Sequence, residues 1–166
     1  MKFFMYGTLR TGGCFTWRLP KKKKSKICTI HGLKMYMLGQ FPGVIRTDDP
    51  DDYVIGEIQE YDFSPGDEQI FIELLDQIEG VYIEDGKDIG LFKKATAITS
   101  DGEEVLIYEF NQFEDWKFQM DIHKIEPRVL TDWALVDPDV AREVPNIMGI
   151  TEDKDDVALE KAEQKD

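Results

Sequence analysis

Apolar and polar positions along this chain alternate in short runs, and the rhythm switches clearly to a helical one only once. Residues 3–5, Phe-Phe-Met, form a continuous apolar, β-favouring run that predicts a core strand at the start of the fold, broken at Gly7. A loop with room for one helical turn is expected over 10–26, because Gly12, Gly13, Pro20 and a lysine run discourage regular structure. Strand character resumes over 27–39, where Ile27, Thr29, Leu33, Met35 and Met37 alternate imperfectly and Gly32 marks a bulge or a close backbone approach. FPGVI, 41–45, reads as a break before another short extended piece, and DDPDD as a surface loop. YVIGEIQEY, 53–61, alternates as a third strand.

The helical rhythm follows SPGDE, which reads as a helix entry. Ile70, Leu74, Leu75 and Ile78 then line one face at a 3.6-residue period, and Phe71 widens it. Gly80 falls where helices commonly end, so the carboxylate of Glu79 is expected at or just beyond the last turn. Two β-rich runs, 91–99 and 104–110, are joined through Asp101 and Gly102, a hairpin signature. Residues 111–133 are aromatic and mixed, and predict only packing against the sheet. From about Asp137 the character shifts: Pro138 and Pro145 punctuate the chain, and 151–166 carry seven acids against three lysines, which predicts a mobile or marginally helical tail. Strands with a single helix in the middle lack the βαβ alternation of a doubly wound sheet. They predict an α+β domain, and they also permit a small closed barrel with the helix across it.

Charge narrows the possible partners. With 34 acidic against 20 basic residues the formal charge is −14, so the molecule repels polyanions, and nucleic acid is not expected as a general partner. Arg18, Lys21 to Lys24 and Lys26 are the local exception, read either as a solvated loop or as a cluster that attracts a phosphate or an anionic surface. Cys14 and Cys28 have neither CxxC nor histidine-flanked spacing, so no metal site is expected. His31 and His123 lack a carboxylate or serine partner at motif spacing and are read as structural or exposed. No apolar stretch has the length of a signal peptide or membrane span, which predicts no membrane association and a cytoplasmic protein with reduced thiols.

The chemistry concentrates in two places. In FMYGTLR, 4–10, the glycine allows the amides of Gly7, Thr8 and Leu9 to turn outward together toward a ligand with oxygen acceptors; a strand followed by an ordinary turn is the other reading. Tyr6 either orients a ligand through its hydroxyl or closes the core. At Glu79 the C-terminal end of a helix dipole disfavours negative charge and raises the pKa, by an amount worth about 0.3–1 kcal/mol at an exposed end, so a large shift requires burial. Asp76, three residues earlier, is the rival acid.

YGTLR after the first strand, FPGVI after the second, VIGEI in the third and LLDQIEG at the helix end, followed by a hairpin and TDW at 131–133, resemble the gamma-glutamylcyclotransferase-like proteins in the same order. The resemblance implies a compact mixed β-barrel over 1–135, with 136–166 as a C-terminal extension. It also implies an enzyme that releases the gamma-glutamyl group of a peptide or amine as pyroglutamate. The substrate's own α-amino group attacks its side-chain carbonyl, so neither cofactor nor metal is required, and the protein supplies shape, a base and oxyanion stabilisation. By this resemblance Glu79 is the acid/base residue, Gly7, Thr8 and Leu9 with Tyr6 hold the glutamyl part, and Asp76 is structural. Tyr108 either donates a hydrogen bond in the site or simply packs. Two departures stand out. Phe15, Thr16 and Trp17 replace an Asn-His pair, and Phe92 and Lys94 stand where a Tyr-x-Arg pattern occurs. They leave open a catalytically silent protein that binds or sequesters a small molecule on the same fold. An interaction module working through the acidic tail or the Lys21 to Lys24 loop is a further alternative. The expected partner is a small molecule with a gamma-glutamyl-like group; the leaving amine and the oligomeric state are left open.

Overall fold

A computed structural model describes residues 1–142. Its elements are β1 (Lys2–Met5), β2 (Lys24–His31), β3 (Leu33–Met37), β4 (Pro42–Arg46), β5 (Tyr53–Glu60), α1 (Pro65–Glu79), β6 (Ile83–Glu84), β7 (Lys87–Asp88), β8 (Phe92–Ile98), β9 (Glu104–Phe110), α2 (Phe113–Ile122) and β10 (Val129–Leu130). The acidic tail expected from about residue 151 lies outside the described residues.

The apolar run at 3–5 is explained by where β1 sits. It is the middle strand of a five-stranded sheet ordered β2-β5-β1-β9-β8, antiparallel to β5 and parallel to β9. Both faces of such a strand are covered, so Phe3, Phe4 and Met5 are all buried and no alternation is needed. Phe3 and Met5 point to the side where Phe71 and Leu75 of α1 pack, together with Leu106 and Phe110 of β9. Phe4 points to the opposite side, into a second core with Ile58, Val105 and Ile107, closed by Met35, Val44 and Leu130 of a three-stranded sheet ordered β10-β3-β4. The molecule is therefore layered as helix, sheet, sheet.

The α+β class agrees with the sequence, but the sheets do not close into a barrel. The two sheets are tied at one side, where the Ile55 amide donates to the Thr131 carbonyl (2.7 Å) and Ile55 forms a parallel bridge with Asp132. On the other side β4 runs past β9 without a ladder, beginning at Pro42, which has no N–H to give. Side chains span that gap: the Arg46 guanidinium donates to Glu109 of β9 and to the Thr96 carbonyl of β8.

Other differences have local causes. The single strand expected over 27–39 is two, turning at Gly32, and β2 starts within the lysine run, at Lys24. A second helix, α2, occupies the aromatic region. It has no fully buried residue, and it is held by Phe113 and Trp116, one turn apart, which pack on Tyr36 and Phe110. Such a sparse contact face leaves little periodic signal. In α1 the Ser64 hydroxyl caps the first turn by accepting from the Asp67 amide (3.3 Å), Pro65 sits at the first position, and Gly80 ends the helix in the left-handed region (φ 69°). The buried stripe is centred on Phe71 and Leu75, however, and Ile70 is 65% exposed.

This packing makes a contrast within one helix. Leu75→Ala is expected to cost about 2–5 kcal/mol of stability, whereas Ile70→Ser should stay within about 0.5 kcal/mol of wild type, both read from urea denaturation midpoints.

Candidate active site

The loop after β1 is held from beneath by a buried polar cluster. Glu57 lies on β5, opposite Met5, and is fully buried. It accepts from the Thr11 amide (3.1 Å) and the Thr11 hydroxyl (2.9 Å), and Gln59 donates both to Glu57 and to the Leu9 carbonyl (3.0 Å). Tyr61 donates in turn to Gln59 (2.7 Å). Burial pushes the Glu57 carboxyl above the usual range, opposed chiefly by the charge of Lys22 and then by the hydrogen bonds from Gln59 and Thr11. Lys22 is itself buried, so this part of the lysine run is neither a solvated loop nor an anion-attracting surface. Arg10, also fully buried, reaches Asp132 (2.6 Å) and the Ala141 carbonyl (2.9 Å) and pins the loop to the end of the described chain.

Held this way, the loop satisfies its carbonyls and not its first amides. The Gly7 and Thr8 carbonyls accept from Arg10 and Phe15 (3.0 and 3.2 Å). The N–H groups of Gly7, Thr8 and Leu9 have no acceptor among the described residues, although Gly7 and Leu9 are buried. Buried amides are rarely left so. All three residues line a cavity of about 350 Å³. Glycine is required at position 7 because a Cβ there would meet Pro42 Cγ at 2.6 Å.

Glu79, the last residue of α1, lines the same cavity. Part of it reaches solvent, yet desolvation by the surrounding walls pushes its pKa up to about 7. Burial, rather than the helix end, is thus the main cause. Asp76 faces a different set of groups: it accepts from the Tyr108 hydroxyl (2.8 Å) and from Lys94 (2.8 Å). Burial and Asp76 hold the Tyr108 phenol protonated far above its ordinary range. Tyr6 also lines the cavity, but its hydroxyl donates to the Tyr108 carbonyl (2.6 Å), so its proton is committed within the fold. The structure therefore brings Glu79, Tyr6, Gly7, Thr8, Leu9 and Tyr108 to one cavity. It adds residues that sequence reasoning did not place there, namely Arg18, Phe41, Pro42, Gln77 and Leu91, and puts Phe15 and Phe92 in the wall.

The domain is thus a mixed-sheet fold whose cavity is lined by a desolvated carboxylate and by a loop whose amides have no acceptor among the described residues. The chain belongs to the family described as gamma-glutamyl cyclotransferase, AIG2-like, whose model matches residues 3–135. Among solved structures it is similar to the uncharacterized protein PH0828 from Pyrococcus horikoshii, at 18% identity over 83% of this chain and 93% of that one, with a TM-score of 0.53. It is similarly close to c4763, a uropathogenic E. coli-specific protein, at 16% identity over 82% of this chain and 94% of that one, TM-score 0.55. A structure named gamma-glutamyl cyclotransferase matches at 14% identity over 77% of this chain and 89% of that one, with a TM-score of 0.44. At these identities the likeness to the first two is one of fold alone. No curated protein matches the chain by sequence.

Two consequences for stability follow from these environments. Removing the buried acceptor by Glu57→Ala strands the Thr11 amide, the Thr11 hydroxyl and the Gln59 amide that donate to it, so a loss of about 2–4 kcal/mol is expected in denaturant titrations, against about 1 kcal/mol for Thr11→Val. Glu79 has a folded pKa raised from 4.5 to about 7. Its ionisation therefore costs nothing below pH 4.5, opposes folding increasingly as pH rises toward 7, and does so fully above it. Glu79→Gln should match wild type near pH 4 and exceed it by up to about 3 kcal/mol at pH 8, as read from melting temperatures across that range.

Proposed function

We propose that this protein cleaves a gamma-glutamyl amide by internal cyclisation, releasing pyroglutamate and an amine. The observation that carries the reading is that Glu79, a desolvated carboxylate, and Gly7, Thr8 and Leu9, whose amides have no acceptor among the described residues, line one cavity although some seventy residues separate them in sequence. Membership of the cyclotransferase family supports it.

The steps use this chain's own groups. The cavity folds the glutamyl side chain back so that its α-nitrogen approaches its own amide carbonyl, converting a flexible molecule into a near-attack shape. Glu79 takes a proton from the α-ammonium; a carboxylate with a pKa near 7 is a better base for this than an ordinary one, and it is still ionised in a useful fraction at neutral pH. The free nitrogen attacks, a C–N bond forms, and negative charge develops on the carbonyl oxygen, which the loop amides receive without reorganising. Glu79 then passes the proton to the amide nitrogen and takes a second one from the nitrogen that attacked, the old C–N bond breaks to leave the five-membered lactam, and the second proton goes to the departing amine. Of the three hydrogens on the original ammonium one stays on the lactam nitrogen and two depart with the amine, which leaves as an ammonium ion.

Incubation of the purified protein with gamma-glutamyl amides should release pyroglutamate, detected by mass spectrometry. The rate should rise with pH through about 7 as Glu79 ionises, and Glu79→Gln should lower kcat by about 10²-fold or more with the fold intact. Recovery of an intact bound amide would favour the silent binding protein, and an unimpaired Glu79→Gln enzyme would remove Glu79 from the reaction.

A further inference from the structure

We infer that the amine released by this protein is an apolar monoamine, best an arylalkylamine, that carries no carboxylate. This rests on the cyclotransferase reading and narrows its substrate. The argument is a charge inventory of the cavity. Glu79 is its one anionic side chain and Arg18 its one cationic side chain among the described lining residues. Arg18 sits on a short 3-10 turn, Thr16–Arg18, which the Thr16 hydroxyl ties to the Gly13 carbonyl (2.8 Å). Its guanidinium lies 5.9 Å from the Trp17 ring and forms no ion pair among the described residues.

A gamma-glutamyl group is a zwitterion, and it uses both charges: the α-ammonium faces Glu79, and the α-carboxylate takes Arg18, while the loop amides are kept for the carbonyl oxygen of the reacting amide. Nothing charged is left for the rest of the substrate. The hydroxyl protons of Tyr6 and Tyr108 are committed to the Tyr108 carbonyl and to Asp76, and the remaining polar side chains, Thr8 and Gln77, are neutral. A leaving group that ends in a carboxylate, as any amino acid or peptide does, would bring that charge beside apolar walls that hold no second counter-ion among the described lining residues, which is unfavourable. The net charge of −14 adds a long-range bias against an anionic substrate, while a gamma-glutamyl amide of a simple monoamine is neutral overall.

The walls state the positive preference. Phe15, Phe41 and Phe92 bring three phenyl rings to the cavity, and Leu91 brings a branched apolar side chain. Phe41 and Phe92 pack on each other with centroids 6.2 Å apart, a tilted pair against which a further ring can be placed edge to face. Phe15 and Leu91 are each about two-fifths exposed, so a ligand that covers them removes apolar surface from water.

The test compares three substrates that share the glutamyl part: gamma-glutamyl-phenethylamide, gamma-glutamyl-glycine and the gamma-glutamyl derivative of the lysine side-chain amine. Pyroglutamate release should favour the phenethylamide in kcat/KM by at least about tenfold over either carboxylate-bearing compound. Leu91→Lys, which places a cation at the exposed mouth, should narrow that ratio by raising turnover of the glycine compound. Calorimetric binding of the same three compounds to Glu79→Gln reads the preference without requiring turnover. Equal or reversed preference in binding overturns the inference about the amine, whatever the enzyme does. A clear preference for the phenethylamide in binding, with no pyroglutamate from any compound and wild-type protein, upholds the apolar subsite and overturns the proposed reaction instead.

Discussion

The site depends on one buried carboxylate that is not part of the chemistry. Three consecutive amides without an acceptor among the described residues are an unfavourable arrangement, and an unsupported loop would relax by rotating them back onto itself or out to water. Glu57 prevents this by taking both the amide and the hydroxyl of Thr11, while Gln59 holds the Leu9 carbonyl from the same strand. Because Glu57 and Gln59 sit two residues apart on β5, they share a face and act on the loop as a rigid pair of posts. Glu57 is itself stabilised by Lys22 and by the donors around it, so the cost of its burial is offset within the cluster.

The cavity walls perform several functions through one physical property. Low local polarity raises the pKa of Glu79, strengthens any hydrogen bond that the lining groups make, and disfavours an unpaired charge in whatever fills the remaining space. These effects cannot be tuned separately. An added polar wall residue that improved recognition of a peptide would also let water nearer to Glu79 and return it toward an ordinary carboxylate.

The parts of the fold that were legible in sequence are those whose neighbours are similar along their whole length. β1 read correctly because both faces are buried, the β8–β9 pair because its turn is marked by Asp101 and Gly102, and α1 because Ser64, Pro65 and Gly80 mark its ends. Less legible were the places where tertiary context reverses a local expectation. Glu57, Gln59 and Lys22 look like solvent-facing residues, and only the position of β5 between two strands, with the loop laid over it, buries them. The same holds for α2, whose identity depends on two aromatic side chains meeting Tyr36 and Phe110. Arg46 closing the gap between the sheets is a contact between distant strands that no periodicity encodes. At the site itself, Glu79 and the glycine loop were legible as motifs, whereas Arg18, Phe41 and Leu91 entered the cavity through loops whose paths follow from packing.

The arrangement around Asp76 explains how Glu79 keeps its own character despite a second carboxylate one helical turn away. Two acids so placed would normally couple, with each charge raising the other's pKa. Here Asp76 is saturated, accepting from Tyr108 on one oxygen and from Lys94 on the other, and desolvation alone accounts for the rise at Glu79. A lysine suffices for this where a guanidinium might be expected, because the task is to neutralise a single carboxylate oxygen rather than to grip a planar ligand with a fork. Lys94 therefore keeps Asp76 neutralised, while Phe92, two residues earlier on the same face of β8, presents a phenyl ring to the cavity beside Glu79.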